Sequence, residues 1–202
     1  LGQLCQPYHK ILSFQIWWKP MINLLPINQD EKIHTIMPMP EDEATWADLQ
    51  IIFATKNGNI RRNQLSDFTN IRQNGKIAMK LNETDELVSV LPCGDKDNIL
   101  LATRLGKAIR FDVNDVRVFV GRGSSGVRGI RLKPKDTVVS MSLIPDIEKR
   151  FVLSVTENGF GKRTPVDDYR MTNRGGQGVA NIECSARNGP VVASYVASED
   201  DQ

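Results

Sequence analysis

The run Ile51-Ile52-Phe53-Ala54-Thr55, ending at Gly58, decides the fold because it returns twice. It recurs as Ile99-Leu100-Leu101-Ala102-Thr103 to Gly106 and as Phe151-Val152-Leu153-Ser154-Val155 to Gly159. The three glycines stand 48 and 53 residues apart. Four places beyond each lies an arginine (Arg62, Arg110, Arg163), seven beyond an aliphatic residue (Leu65, Val113, Val166), and nine beyond an aspartate (Asp67, Asp115, Asp168). Ten beyond comes another apolar residue, Phe68, Val116 or Tyr169. So many retained offsets mark an internal repeat, and a repeat of this length marks stacked units that cannot bury their apolar faces alone.

Two further phrases recur in step. Gly75-Lys76-Ile77-Ala78-Met79-Lys80-Leu81 returns as Gly126-Val127-Arg128-Gly129-Ile130-Arg131-Leu132 and as Gly178-Val179-Ala180-Asn181-Ile182. Asp85-Glu86-Leu87-Val88 returns as Asp136-Thr137-Val138-Val139 and Gly189-Pro190-Val191-Val192, and traces back to Asp30-Glu31-Lys32-Ile33, so a partial earlier unit ends within residues 20–40. Short β-branched and aromatic runs alternate with Gly, Asn, Asp and Pro turns, and no long 3.6-residue period appears. About four strands in a unit of about 50 residues is the pattern of propeller blades. The expected fold is all-β and propeller-like, with about three near-complete four-stranded blades plus partial ones. The units run over about 19–50, 51–98, 99–150 and 151–202, after an unmatched segment 1–18. Gly58, Gly106 and Gly159 read as hairpin turns that need positive φ, explicit in Asn57-Gly58 and Asn158-Gly159.

Composition narrows the class. With 40% hydrophobic and 25% charged residues in 202, the chain has globular proportions and enough length for a core, which excludes disorder throughout. Cys5, Cys93 and Cys184 are odd in number and far apart, fitting neither a disulfide framework nor a paired-cysteine zinc site, so a reducing, cytoplasmic setting is expected. The apolar stretch 11–18 is interrupted by Ser13 and Gln15 and falls well short of the roughly 20 residues a membrane span needs. No signal peptide and no membrane partner are expected. Net charge is +2, but residues 51–187 hold 23 Lys and Arg against 15 Asp and Glu, so the basic character is concentrated there. Such an excess fits a polyanion partner or a solvated surface.

Binding nucleic acid without a base code needs cations spaced along a surface that follows phosphates. Arg62, Arg110 and Arg163 supply one per unit, and Arg61, Lys107 and Lys162 add charge at the same hairpins. Arg72, Lys76, Arg122, Arg128, Arg170 and Arg174 lie on the loop between the phrases. A structural alternative stands beside this: the recurring arginine pairs with Asp67, Asp115 or Asp168 to lock its blade. Arg122 and Arg174, flanked by glycine, lie in loops too small-sided to serve as core. The recurring aspartates suit a turn better than a metal site. His9 and His34 lack a partner at ligand spacing, so neither a metal site nor a catalytic residue is expected. Gly121-Arg122-Gly123-Ser124-Ser125-Gly126 lacks the Gly-Lys-Ser/Thr ending and following helix of a nucleotide cradle.

The phrases Gly126-Val127-Arg128-Gly129-Ile130-Arg131-Leu132, Asn158-Gly159-Phe160-Gly161-Lys162-Arg163-Thr164 and Asn23-Leu24-Leu25-Pro26 resemble successive blades of the C-terminal domain of the DNA gyrase A protein. The likeness runs from about Lys19 to Gln202 and is closer to gyrase than to its topoisomerase IV paralogue. It implies a β-pinwheel whose basic rim wraps double-stranded DNA within an ATP-driven type II topoisomerase that introduces negative supercoils. The partners it implies are the gyrase A N-terminal domain and the gyrase B subunit. ATP and magnesium would belong to that holoenzyme, with no cofactor and no catalysis on this chain.

Three departures qualify the likeness. The family's Gln-Arg-Arg-Gly-Gly-Lys-Gly type box is absent, its place falling before residue 1, and Asn173-Arg174-Gly175-Gly176-Gln177-Gly178 is only a partial likeness in a later blade. Residues 1–18 match nothing expected there; Trp18 replaces the recurring glycine, and Tyr8, Phe14 and Trp17 fit either a helical cap or a shifted reading frame. The chain also stops where the last blade should begin its next strand. Weak bending of DNA by this chain alone is therefore expected. A topoisomerase IV-like domain, a propeller serving protein interaction, and an unproductive fragment with open sheet edges remain the alternatives.

Overall fold

The computed structural model describes residues 2–4, 33, 35–69, 75–145, 150–199 and 201. Among the described residues there are strands and short 3-10 turns and no α-helix. The chain is all-β and propeller-like, as its repeat implies. Of the N-terminal segment only β1 (Gly2–Leu4) is described, and it pairs antiparallel with β4 (Lys76–Met79). The helical cap expected over residues 1–18 otherwise lies outside the described residues, as does most of the earlier partial unit.

Each unit opens with a hairpin: β2 (Gln50–Thr55) with β3 (Asn59–Gln64), β6 (Asn98–Thr103) with β7 (Lys107–Asp112), and β11 (Phe151–Thr156) with β12 (Gly161–Pro165). Gly106 turns its hairpin at φ +77°, a left-handed conformation that few residues with a side chain adopt without cost. A 3-10 turn follows each hairpin, at Leu65–Phe68, Val113–Asp115 and Val166–Asp168, and holds the recurring aspartate. A long strand then returns along the hairpin's first strand: β5 (Leu87–Cys93) on β2, β10 (Val138–Ile144) on β6 and β14 (Val191–Ala197) on β11.

The fourth strand does not belong to its own unit. β3 receives β8 (Val118–Phe119) and β9 (Val127–Arg128) from the second unit, while β7 receives β13 (Val179–Ala180) from the third. The second and third units thus lend their second phrase to the blade before. The lent strand lies close, because a Cβ on Gly178 would overlap the Ala108 carbonyl oxygen. The recurring Asp85 and Asp136, both buried, accept from the hairpin backbone of their own units at Asn57 N (2.9 Å) and Leu105 N (2.9 Å).

The core lies between blades. Ile52 and Ala54 of β2 pack with Ile99 and Leu101 of β6, joined by Phe111, Val116 and Ile130. Leu100 and Ala108 of the second blade pack with Val152, Val166 and Tyr169 of the third. Alternate faces of one strand therefore serve two neighbours, which is why β2 and β6 are apolar throughout and not alternating. On the far side of β2, Ile51 and Phe53 are covered by Trp46, Phe68 and Met79. β11 differs: Val152 is buried, yet Leu153 and its cross-strand neighbour Tyr195 are exposed.

Candidate nucleic-acid interface

The recurring hairpin arginine is a bridge between blades. Arg62, almost wholly buried, donates from Nη1 to Asn114 Oδ1 (3.3 Å) and faces Asp95 Oδ1 at 3.5 Å. Arg110 donates from Nη1 to the carbonyls of Val166 (3.2 Å) and Tyr169 (3.5 Å) in the third unit. Both reach the 3-10 turn of the unit that follows or its flank. This corrects the structural alternative read from sequence, for Arg62 pairs with Asp95 and not Asp67, whose carboxylate accepts from Asn63 Nδ2 (2.8 Å). Arg163, the third copy, is exposed and rests its guanidinium 4.4 Å from the centre of the Phe151 ring.

Arg61 also leaves the set of surface cations. It is 1% exposed and donates from Nε to Asn63 Oδ1 (2.7 Å) and from its terminal nitrogens to the carbonyls of Ser124 and Gly121. Burial lowers its pKa, nearby Asp67 raises it, and Arg122 lowers it further. Asn63 adds donations to the carbonyls of Phe119 (3.1 Å) and Gly121 (2.9 Å). A guanidinium this deeply buried presents no surface to a phosphate; bound to the carbonyls of Gly121 and Ser124, it fixes the loop over residues 119–124. Burial of Arg61 and Arg62 therefore overturns their assignment to DNA contact.

A second recurrent bridge lies in the glycine-flanked arginines. Arg122 donates from Nη1 to the Ile77 carbonyl (2.6 Å), and Arg174 from Nη1 to the Arg128 carbonyl (3.1 Å). Each stands four residues before its own unit's recurring glycine and reaches the carbonyl two residues after the preceding unit's glycine. Arg174 Nε also donates to the Asp115 carbonyl (2.8 Å). Both remain half-exposed, so they join blades while presenting charge outward. Arg128 is exposed on β9, Lys107 is half-buried on β7, and Lys162 is exposed with Nζ 3.5 Å from the Asn181 carbonyl.

Two exposed cations of this surface, Arg117 and Arg131, were not among the residues singled out from sequence, although Arg117 shares its offset with Arg170 and Arg131 with Lys80. The signal that would have found them is the absence of acid. Residues 117–131 carry Arg117, Arg122, Arg128 and Arg131, and residues 170–182 carry Arg170 and Arg174, with no Asp or Glu in either run. The runs lie side by side, since Arg131 N donates to the Gly176 carbonyl (2.7 Å) and Gly175 N to the Gly129 carbonyl (2.6 Å). Arg128, Arg131 and Arg174 thus lie together where the two runs meet, and Arg117, Arg122 and Arg170 belong to the same two runs. Among the described residues no group of His, Cys, Asp or Glu could hold a metal ion. The Cys93 thiol is buried, and that burial favours its neutral form, pushing its pKa up to about 12 against the opposing pull of Arg62. No described helix is long and apolar enough to cross a membrane.

Comparison with known proteins places this chain in a family. The family described as DNA gyrase C-terminal domain, beta-propeller, matches residues 50–94, 97–145 and 150–189. The DNA gyrase A protein of Rickettsia bellii is 40% identical over a 230-residue alignment covering 91% of this chain and 25% of that protein. Its counterpart in Staphylococcus epidermidis is 40% identical, with 94% of this chain and 21% of the relative covered. This chain therefore spans about a quarter of the length of such relatives. Among solved structures, a DNA gyrase A C-terminal domain superposes with a TM-score of 0.79 at 29% identity, covering 92% of this chain and 60% of that one. A DNA topoisomerase IV C-terminal domain superposes with a TM-score of 0.81 at 26% identity, covering 90% and 55%. The fold is shared by both paralogues, whereas the sequence is nearer to gyrase. The chain belongs to the DNA gyrase C-terminal domain family.

Proposed function

We propose that this chain is a DNA-wrapping part of a gyrase A protein, which holds duplex DNA by its phosphates along the arginine surface of residues 117–131 and 170–182. The observation that carries the reading is the six acid-free arginines, of which Arg122 and Arg174 are tied to backbone carbonyls of the neighbouring blade. Cations fixed in this way neutralise phosphates with little ordering cost on binding, and they read no base edges. Arg128 and Arg131 give the least encumbered contacts, and Lys107, Lys162 and Arg163 extend the charge toward the hairpins. Strand cleavage and ATP hydrolysis belong to other parts of the assembled enzyme, whose remaining pieces, the gyrase A N-terminal domain and the gyrase B subunit, are the protein partners in this reading. The setting is the bacterial cytoplasm, where chromosomal DNA is the substrate.

A test is to measure binding to duplexes of equal length and unrelated sequence. Equal affinities support phosphate contact. A preference of about a hundredfold for one sequence would contradict it.

A further inference from the structure

Val120 lies in the acid-free loop and has no part in the arginine surface. It is an apolar, β-branched residue at 100% exposure, while the preceding Phe119 is 7% exposed. Its exposure is imposed by the backbone on both sides. Phe119 lies between the guanidinium of Arg61 (5.2 Å) and that of Arg117 (4.4 Å), and its carbonyl accepts from Asn63. Gly121, on the other side at φ +73°, accepts at its carbonyl from Arg61 and Asn63. The loop is thus pinned at 119, 121 and 124, with residue 120 held out between the pins.

The repeat keeps the exposure but not the chemistry. Met171 pairs with Arg110 as Val118 pairs with Arg62, so the third unit's counterpart of Phe119 is Thr172, whose backbone N donates to the Arg110 carbonyl at 3.0 Å, and its counterpart of Val120 is the exposed, polar Asn173. The second unit instead holds an apolar side chain outward there, between the exposed Arg117 and the half-exposed Arg122.

We propose that Val120 is a wedge for duplex DNA: a rigid apolar contact, flanked by arginines on phosphates, that packs against sugars and base edges in the minor groove and favours bending there. The inference rests on the DNA-wrapping reading above and adds to it a contact that is not electrostatic. The chemistry suits the role. A β-branched side chain has few rotamers to lose, and apolar side chains set into the minor groove partly unstack a step and bend the duplex around the protein. Narrow minor grooves also attract the flanking arginines.

The experiment compares the full chain with its Val120→Ser and Val120→Leu variants. Affinity for an end-labelled duplex is measured across salt, and the bend by energy transfer between the duplex ends. Val120→Ser should weaken binding about 5- to 10-fold, the order expected for losing one buried apolar side chain. It should also widen the end-to-end distance and leave the log-log salt slope unchanged. Val120→Leu should retain both affinity and bend. Thermal unfolding should match in all three, since the residue holds no core. A serine variant that binds and bends duplex like the wild type overturns the wedge while leaving the wrapping reading intact. A wild-type chain with no salt-dependent binding overturns the wrapping reading, and the wedge with it.

Discussion

Arg110 and Arg163 hold the same place in successive units and meet different surroundings. Arg110 donates to two carbonyls of the next blade, whereas Arg163 lies exposed on Phe151. Replacing Arg110 by alanine removes both donations at a packed junction, although the Val166 carbonyl still accepts from Tyr169 N (3.0 Å), and should cost about 1 kcal/mol. Replacing Arg163 should change stability little. Equal losses in thermal unfolding would show that the bridge contributes nothing. The same comparison bears on Arg122 and Arg174, which from sequence look like free loop cations and in the structure also join blades. Tyr169 offers a test by pH. Its hydroxyl donates to Asn181 Oδ1 (2.5 Å), and burial raises its pKa above the ordinary value. The folded state thus keeps its proton longer than the unfolded chain, so its stabilisation is complete below pH 10 and is lost as pH rises beyond. Melting temperature should fall more steeply above pH 10 in the wild type than in Tyr169→Phe; parallel curves would contradict this.

Hairpins and returning strands were legible because each leaves a mark at fixed offset: an apolar run, a glycine and an aspartate. The exchange of the fourth strand was not. β8, β9 and β13 are two residues each, too short to show alternation, and their partners lie in another unit. The glycine opening the second phrase was visible as a repeat, but its reason is tertiary: close approach to the preceding blade. Gly178→Ala would place a Cβ against the Ala108 carbonyl at a φ of +70°. It should loosen the β7–β13 pairing, costing more than the roughly 1–3 kcal/mol of backbone strain alone. Gly159→Ala has φ +79° and no atom within 4 Å, so it should cost only the strain. Similar melting temperatures for the two would mean that the close approach is not limiting.

At the scale of the molecule, the repeat and the basic middle were plain from the sequence, and offset counting chose which arginines to name. That choice mixed two populations. Arg61 and Arg62 are buried between blades, Arg61 on the carbonyls of Ser124 and Gly121 and Arg62 on Asn114 Oδ1 and Asp95, and no periodicity reveals such burial. Arg117 and Arg131 recur only partly, Arg117 as Arg170 and Arg131 as Lys80, with Thr69 and Glu183 at those offsets in the remaining unit. What separates bridging from outward cations is the neighbouring backbone, which only the fold supplies. The central claim is that the arginines of residues 117–131 and 170–182 neutralise phosphates. The most direct test is the salt dependence of duplex binding by the wild type and by Arg128→Ala, whose side chain is exposed. The expected result is a log-log slope of about −0.9 per phosphate neutralised, flattened by roughly one unit in the variant, with equal weakening on unrelated sequences. A shallow wild-type slope, or one that Arg128→Ala leaves unchanged, would contradict it.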